Sequence, residues 1–370
     1  MRVAHLTTVH DRRDPRIFLK ECTSLAEGGH EVFLLVADGQ GDERKNGVAI
    51  IDIGARSCMR LRRMTRDVLR MFVAAKKVRC DVYHFHDPEL IPAGLLFRLS
   101  GKKVVYDVHE DYATSIAKVE HLPPFVRRFL ALVIRIFEPC VARVFQTIIA
   151  EKYYEERLPN AEKILNYPLP EHKPAGRSHL PVREPLRVIY TGNITQERGA
   201  FTHVSLLDIH PSLHVYMIGR CTPSLAEQIR AHAGKDENRL HIVGAGEYMP
   251  FDTITGYYES GGWTAGLALF PPSEHYCRKE LTKFFEYMQY GIPILASRFS
   301  VWASLIEANR CGVCVDPIFN REEMAAAVQT LLCGGAEMGL NGRRAVQEKY
   351  QWTSEEAKLL ALYRRLETRD

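Results

Sequence analysis

Three stretches of this chain have residue types and spacings that could do chemistry. The first pairs His84-Phe-His-Asp87 with His109-Glu-Asp111, each at the end of a short β-branched run. Imidazoles and carboxylates brought together by neighbouring strand ends are what a divalent-metal hydrolase would want. The spacing matches no standard ligand motif, so no metal is expected. His84 follows the apolar face of its strand and is expected as a core histidine, which leaves His109 as the better candidate for substrate. The second stretch runs Tyr190-Thr-Gly-Asn-Ile-Thr-Gln-Glu-Arg-Gly199, ahead of a helical segment. Gly192 and Gly199 would leave backbone amides free at the positive end of a helix, and Arg198 adds a fixed cation, which outlines a pyrophosphate site. It has neither the GxGxxG nor the GK[ST] pattern, against a nicotinamide enzyme or an ATPase. In the third, Thr282 is expected to cap a helix that packs Phe284, Phe285 and Met288 inward and ends at Gly291. Glu286 is then left on a face where a carboxylate can accept from two adjacent hydroxyls, as on a ribose. The plainer alternatives are a tight turn that happens to hold an arginine and a surface glutamate.

These residues need strands that end where they begin. Short β-branched runs alternate with longer amphipathic stretches, the pattern of βα units feeding a parallel sheet. Strands are expected at Val3 to Thr7, Val32 to Val36, Ala49 to Ile53, Val82 to Phe85, Lys103 to Tyr106 and Thr147 to Ile149. Residues 168–185, PLPEHKPAGRSHLPVREP, are proline-rich without periodicity and read as a linker. Beyond it strands are expected at Leu186 to Thr191, His214 to Ile218, Leu240 to Val243, Leu267 to Phe270 and Ile292 to Ala296. The reading is an α/β protein with a first Rossmann-like domain over 1–167, a second over 186–350, and a C-terminal helix over 351–370 appended to the second sheet. Ligands of such sheets sit at the carboxyl ends of the strands, which for two facing domains means a cleft.

With 370 residues, 46% of them hydrophobic and 25% charged, the chain can bury two cores. The start MRVAHLTTVH has no apolar run of the kind that targets secretion and reads as a first strand. No stretch approaches a membrane span; Phe129 to Phe137 comes nearest and is broken by Arg135. Nine scattered cysteines read as reduced cytoplasmic thiols, and Cys311 and Cys314, a CxxC without companions, as half-buried thiols around a turn at Gly312. A net charge of +4 does not call for nucleic acid. The charge is local, however: Arg56 to Arg79 sets nine basic residues against Asp67. With Leu61, Met64, Val68, Met71 and Phe72 at helical spacing, this segment reads as a basic amphipathic helix. It is either a solvated face or a surface for anionic lipid or a phosphate-bearing acceptor.

The segment FFEYMQYGIPILAS resembles the donor-site helix, turn and strand of retaining GT-B glycosyltransferases of family four. HLTTVHDRRDPRIFLKECTSLAEGGHEV resembles the N-terminal loop and helix of that family's bacterial polysaccharide-assembly branch. HFHDPELIPAGLL, KKVVYDVHEDY, LNYPL and VIYTGNITQERG match further segments in the same order. The resemblance implies a GT-B fold and a sugar moved from a UDP- or GDP-sugar to a glycan or lipid-linked acceptor hydroxyl, with retention and no metal or other cofactor. It implies surface polysaccharide assembly at the inner face of the membrane, with peripheral contact to anionic lipid. By residue, it puts Gly192, Asn193, Arg198, Gly199, Lys283 and Glu286 on the donor and His109 at the reaction centre. His10, Arg16, His86, Asp87 and Glu110 fall on the acceptor side or in the cleft. The family's earlier glutamate is Arg278 here, and its second phosphate-binding arginine is Asn193. Rival readings are a nucleotide-sugar epimerase, a non-catalytic glycan- or phosphate-binding subunit, and a metal-dependent hydrolase.

Overall fold

The computed structural model describes residues 1–59, 62–109, 111, 116, 123–170, 184–247 and 249–368. The chain divides into two compact units, Met1–Asn166 with Trp352–Asp370 and Tyr167–Gln351. Most of the expected linker, along with Arg60, Leu61 and Glu110, lies outside the described residues.

The first unit is built on eight strands: β1 Arg2–Leu6, β2 Glu31–Val36, β3 Glu43–Lys45, β4 Val48–Asp52, β5 Val82–Phe85, β6 Lys103–Val108, β7 Gln146–Ile149 and β8 Glu162–Lys163. Their order is β3-β4-β2-β1-β5-β6-β7-β8, with β3 antiparallel and the rest parallel. The order reverses at β1, which lies between β2 and β5; the β1/β5 strand ends form the crevice where open α/β sheets bind ligands. Helix α1 opens as a wide-wound segment, Pro15–Cys22, and closes as Thr23–Glu27. Asp14 starts it by accepting from the amides of Arg16 and Ile17, with Pro15 at the first helical position. Its buried Ile17, Phe18, Cys22 and Leu25 lie against the sheet.

In the second unit β9 Leu186–Thr191, β10 Leu213–Cys221, β11 Leu240–Ala245, β12 Ala265–Ala268, β13 Ile294–Ser297 and β14 Gly312–Val315 form a parallel sheet ordered β11-β10-β9-β12-β13-β14. Here the order reverses at β9 and β12. Cys311 and Cys314 are buried at β14, so the expected turn at Gly312 is a strand.

The C-terminal helix, Trp352–Thr368, corrects another expectation: it belongs to the first unit rather than the second sheet. Trp352 Nε1 donates to Ser24 Oγ at 2.9 Å, Glu355 Oε2 accepts from the Leu165 amide at 2.9 Å, and Leu359, Leu362 and Tyr363 are buried. Amphipathic periodicity requires a buried face but does not say which sheet buries it. Among the described residues no helix is long and apolar enough to cross a membrane.

Candidate active site

In the second unit the residues after β9 and on the helix Thr282–Gln289 meet around a cavity of about 220 Å³. Gly192, with φ of 97°, turns the chain at the strand end. A β-carbon built on it would lie 3.7 Å from Arg198 Nη1 and 4.0 Å from Lys283 Nζ, so two cations converge on one turn. Arg198 Nε donates to Tyr276 Oη at 3.0 Å. Lys283 donates to the Thr191 carbonyl at 2.6 Å and lies 3.6 Å from the centre of the Tyr190 ring. Burial, and then the neighbouring Arg198, hold the Lys283 ammonium well below the usual lysine range, with Glu286 opposing the shift. An anion entering here would meet the Arg198 guanidinium and favour the charged form of Lys283, in surroundings largely stripped of water, where Coulomb attraction is strongest.

Glu286, one helical turn along from Lys283, accepts from Tyr258 Oη at 2.8 Å, and that phenol is itself 2.6 Å from Thr191 Oγ1. Burial and the Glu286 charge push the Tyr258 phenol well above its ordinary value, so it stays a donor and fixes the carboxylate. Gly199 has φ of 74°, and a β-carbon there would fall 1.8 Å from the Leu269 carbonyl oxygen; only glycine lets the loop pass this close to the end of β12. Asn193 is exposed, with its carbonyl accepting from Tyr190 Oη at 2.7 Å. Thr282 opens its helix without capping it; the N-cap is Leu281, which makes no side-chain cap bond. Arg278 is exposed, whereas Lys279 lines the cavity. The sequence reading missed Tyr258 and Tyr276, because a phenol aimed at a carboxylate or guanidinium leaves no spacing pattern.

The first unit gathers a second polar set beyond β1, β5 and β6. His109 Nδ1 is 3.1 Å from Asp107 Oδ2, and its Nε2 is 2.9 Å from His10 Nε2. Both rings are partly exposed, while the groups behind them are buried. Asp107 collects Arg16 Nε at 2.9 Å, Arg16 Nη2 at 2.8 Å and His86 Nδ1 at 3.1 Å. Burial opposes its ionisation, but Arg16, His109 and His86 together hold its carboxyl well below the usual range. An N–H donated by His109 Nδ1 to this carboxylate leaves the Nε2 lone pair facing His10 Nε2. Arg16 is itself buried, donates also to the Ile164 carbonyl at 2.9 Å, and stands behind Asp107 rather than at an open surface. Asp87 is buried too, accepting from the Thr8 amide at 2.6 Å and Thr7 Oγ1 at 3.0 Å, with His10 Nε2 3.4 Å away. The sequence reading passed over Asp107, yet it shares a strand face with His109 two residues on and was within reach of a period-two argument.

His84 is a core histidine, as expected, with Nδ1 3.0 Å from Tyr363 Oη. The basic helix is present as Arg63–Asp67 continuing into Val68–Val78; Arg62, Arg66, Lys76 and Lys77 are exposed along it, whereas Arg63 and Arg70 are partly buried. Arg63 pairs with Glu89 at 3.0 Å, Arg70 bonds Asp67 and the Ile53 carbonyl, and Arg56 donates to the Val9 carbonyl. Of its expected apolar stripe, Val68 and Met71 are buried and Met64 is exposed.

Residues 16–158 match the sequence model of Glycosyltransferase Family 4. No curated protein matches the chain by sequence. Among solved structures it is similar to sucrose-phosphate synthase from Thermosynechococcus elongatus, with a TM-score of 0.76 at 16% identity over 100% of both chains. It is also similar to HepE from Anabaena in complex with UDP, with a TM-score of 0.69 at 13% identity over 99% of this chain and 100% of that one. A third is WaaG, a glycosyltransferase involved in lipopolysaccharide biosynthesis, with a TM-score of 0.67 at 14% identity over 97% and 98%. At such identities the likeness establishes the fold, which is GT-B: two Rossmann-like α/β units and a long C-terminal helix.

Proposed function

We propose that this glycosyltransferase takes its sugar from a nucleoside diphosphate donor whose diphosphate lies against Gly192, Arg198 and Lys283. The observation that carries this reading is the convergence of two cations on the Gly192 turn. Glu286, fixed by Tyr258, is placed to accept from the ribose hydroxyls. Departure of the diphosphate builds negative charge on its oxygens, and cations set in advance in a dry site stabilise that charge without reorganising. Arg198 and Lys283 then do what a divalent ion does elsewhere, so transfer proceeds without a metal at the diphosphate. His109, oriented by Asp107, is assigned to the transferred sugar, and His10 and Asp87 to its surroundings. The UDP held by HepE favours a UDP-sugar over a GDP-sugar. Retention, a glycan or lipid-linked acceptor, and a part in polysaccharide assembly on the cytoplasmic face complete the proposal.

A second surface, besides the basic helix, suits contact with the membrane. Helix Pro124–Ala142 exposes Phe125, Phe129, Leu132, Val133, Ile136 and Phe137 at three- and four-residue steps, and buries only Glu138, Val141 and Ala142. Arg128, Arg135 and Arg143 are exposed along it, and its one acid is buried. An apolar stripe bordered by arginines suits the headgroup boundary of an anionic bilayer.

The donor reading is tested by thermal shift with nucleoside diphosphates and nucleotide sugars, followed by transfer assays with Arg198→Ala. A ligand that binds only the folded state raises the midpoint, and loss of one charge-assisted phosphate contact worth about 1.5–3 kcal/mol lowers turnover roughly tenfold or more. Unchanged kinetics in Arg198→Ala, or a shift that requires added magnesium, overturns it.

A further inference from the structure

Beneath the polar set of the first unit lies a buried cluster that the transfer reaction does not use. His5 on β1, His84 on β5, His86 just past the end of β5 and Glu21 on helix α1 are each fully buried. One donor atom from each lies within 4.8 Å of all the others. The register pairs His5 with His84 across adjacent strands, and His86 follows two residues beyond His84 on the same face. Helix α1 then lays Glu21 over these three imidazoles.

Around Glu21 the spacing is too long for hydrogen bonds and suits shared ligation, whereas His5 and His86 already lie within hydrogen-bond distance of each other. Glu21 Oε2 is 3.9 Å from His5 Nδ1 and 3.8 Å from His84 Nε2, beyond hydrogen-bond reach, while His5 Nδ1 and His86 Nε2 are 3.0 Å apart. Four atoms bound tetrahedrally at zinc distances of about 2.0–2.2 Å stand roughly 3.3–3.6 Å from one another. His84 Nε2, His5 Nε2 and both Glu21 oxygens have no hydrogen-bond partner among the described residues, although Glu21 Oε1 is ion-paired to Arg16 at 3.1 Å.

The surrounding groups orient the ring nitrogens. His86 Nδ1 lies against Asp107 Oδ2 at 3.1 Å, and His84 Nδ1 against Tyr363 Oη at 3.0 Å. Nδ1–H groups donated to these oxygens leave His84 Nε2 as a lone pair toward Glu21 and His86 Nε2 as one toward His5 Nδ1. A carboxylate or hydroxyl behind each histidine is the usual support of a metal ligand. With His5 and His86 sharing a hydrogen bond and Arg16 ion-paired to Glu21 Oε1, His84 Nε2 and Glu21 Oε2 still face each other at 3.8 Å as two buried acceptors, at a cost that a bound cation removes.

We propose that His5, Glu21, His84 and His86 form a structural site for a zinc-class divalent cation that joins β1, β5 and helix α1. Three imidazoles and a carboxylate are the donors such ions prefer over magnesium or calcium. Because all four ligands are buried and come from the protein, the site holds its ion closed off from substrate and takes no part in transfer. It departs from the expectation that the chain holds no metal, and it stands whether or not the donor reading does.

Elemental analysis of protein purified without a polyhistidine tag or added metal tests this directly. The expected content is about one zinc-class ion per chain, retained through brief chelator exposure and released on unfolding. Refolding with Co2+ should give the strong visible absorption of tetrahedral coordination. His84→Gln and Glu21→Gln should lower the metal content while far-ultraviolet circular dichroism reports whether the fold remains; if neither variant folds, the wild-type content and Co2+ spectrum decide. Substoichiometric metal both as purified and after refolding with Zn2+, an octahedral Co2+ spectrum, or undiminished metal in folded variants each overturns the proposal.

Discussion

Replacing Lys283 with methionine isolates a charge whose surroundings are otherwise set for it. The ammonium rests on the Tyr190 ring at 3.6 Å and donates to the Thr191 carbonyl at 2.6 Å. Methionine fills a similar volume, and such swaps alone cost less than about 1.5 kcal/mol. Leaving the Thr191 carbonyl without its donor costs about 1–3 kcal/mol, while removing an ammonium buried beside Arg198 relieves a penalty of comparable size. The urea midpoint is therefore expected to move little. Donor binding should fall much further: one charge-assisted contact of about 1.5–3 kcal/mol corresponds to roughly 10- to 150-fold.

The pH dependence sharpens the test, because burial and Arg198 lower the Lys283 ammonium well below the usual range. Above that lowered value the free protein holds a neutral amine, and donor binding must take up a proton. Affinity for a nucleotide sugar should then fall with rising pH, by at most about tenfold per pH unit, and Lys283→Met should abolish that slope. Isothermal titration across neutral to alkaline pH in two buffers of different ionisation enthalpy reads both affinity and proton uptake. Wild-type affinity in Lys283→Met, or the same slope in both proteins, refutes the reasoning.

Other perturbations reach the rest of the site. Glu286→Gln is expected to raise the donor's Michaelis constant and to erase discrimination against a 2′-deoxyribose donor; persistence of wild-type discrimination counts against a ribose role. Gly199→Ala puts a methyl group 1.8 Å from the Leu269 carbonyl at positive φ, so a loss of about 2–4 kcal/mol in urea unfolding should accompany weaker donor binding, and a loss below measurement error would contradict the close packing. Ile136→Glu with Phe129→Glu should cut sedimentation with anionic vesicles while leaving donor binding intact, whereas charge reversal at Arg62 and Arg66 should do less; the opposite ranking returns the membrane role to the basic helix.

Much of the scaffold could be read from local pattern. Val82–Phe85 and Leu186–Thr191 coincide with their expected bounds because a turn or a charged residue stops each apolar run. Strand β6 runs past its expected end to Val108, since the Arg16 ion pair lets Asp107 stay inside the sheet. Strand β14 was hidden by Gly312, read as a turn; a β-carbon there would meet the Ile294 carbonyl at 2.2 Å, so the glycine serves strand approach instead. Arg198, Lys283 and Glu286, which line one cavity, are singled out by motif and resemblance. Tyr258, Tyr276 and the buried position of Lys283 depend on contacts between residues far apart in sequence, which no local periodicity carries.

The return of the C-terminal helix to the first unit bears on the order in which the molecule can be finished. His84 meets its phenol partner 279 residues later in the chain. At roughly 5–20 residues per second, ribosomal synthesis separates the two by about 15 to 55 s. The first sheet thus emerges earliest and is closed last, with Ser24, the Leu165 amide and His84 waiting for Trp352, Glu355 and Tyr363. The second unit, Tyr167–Gln351, is complete in sequence before Trp352–Thr368 leaves the tunnel, while the first still waits for that helix.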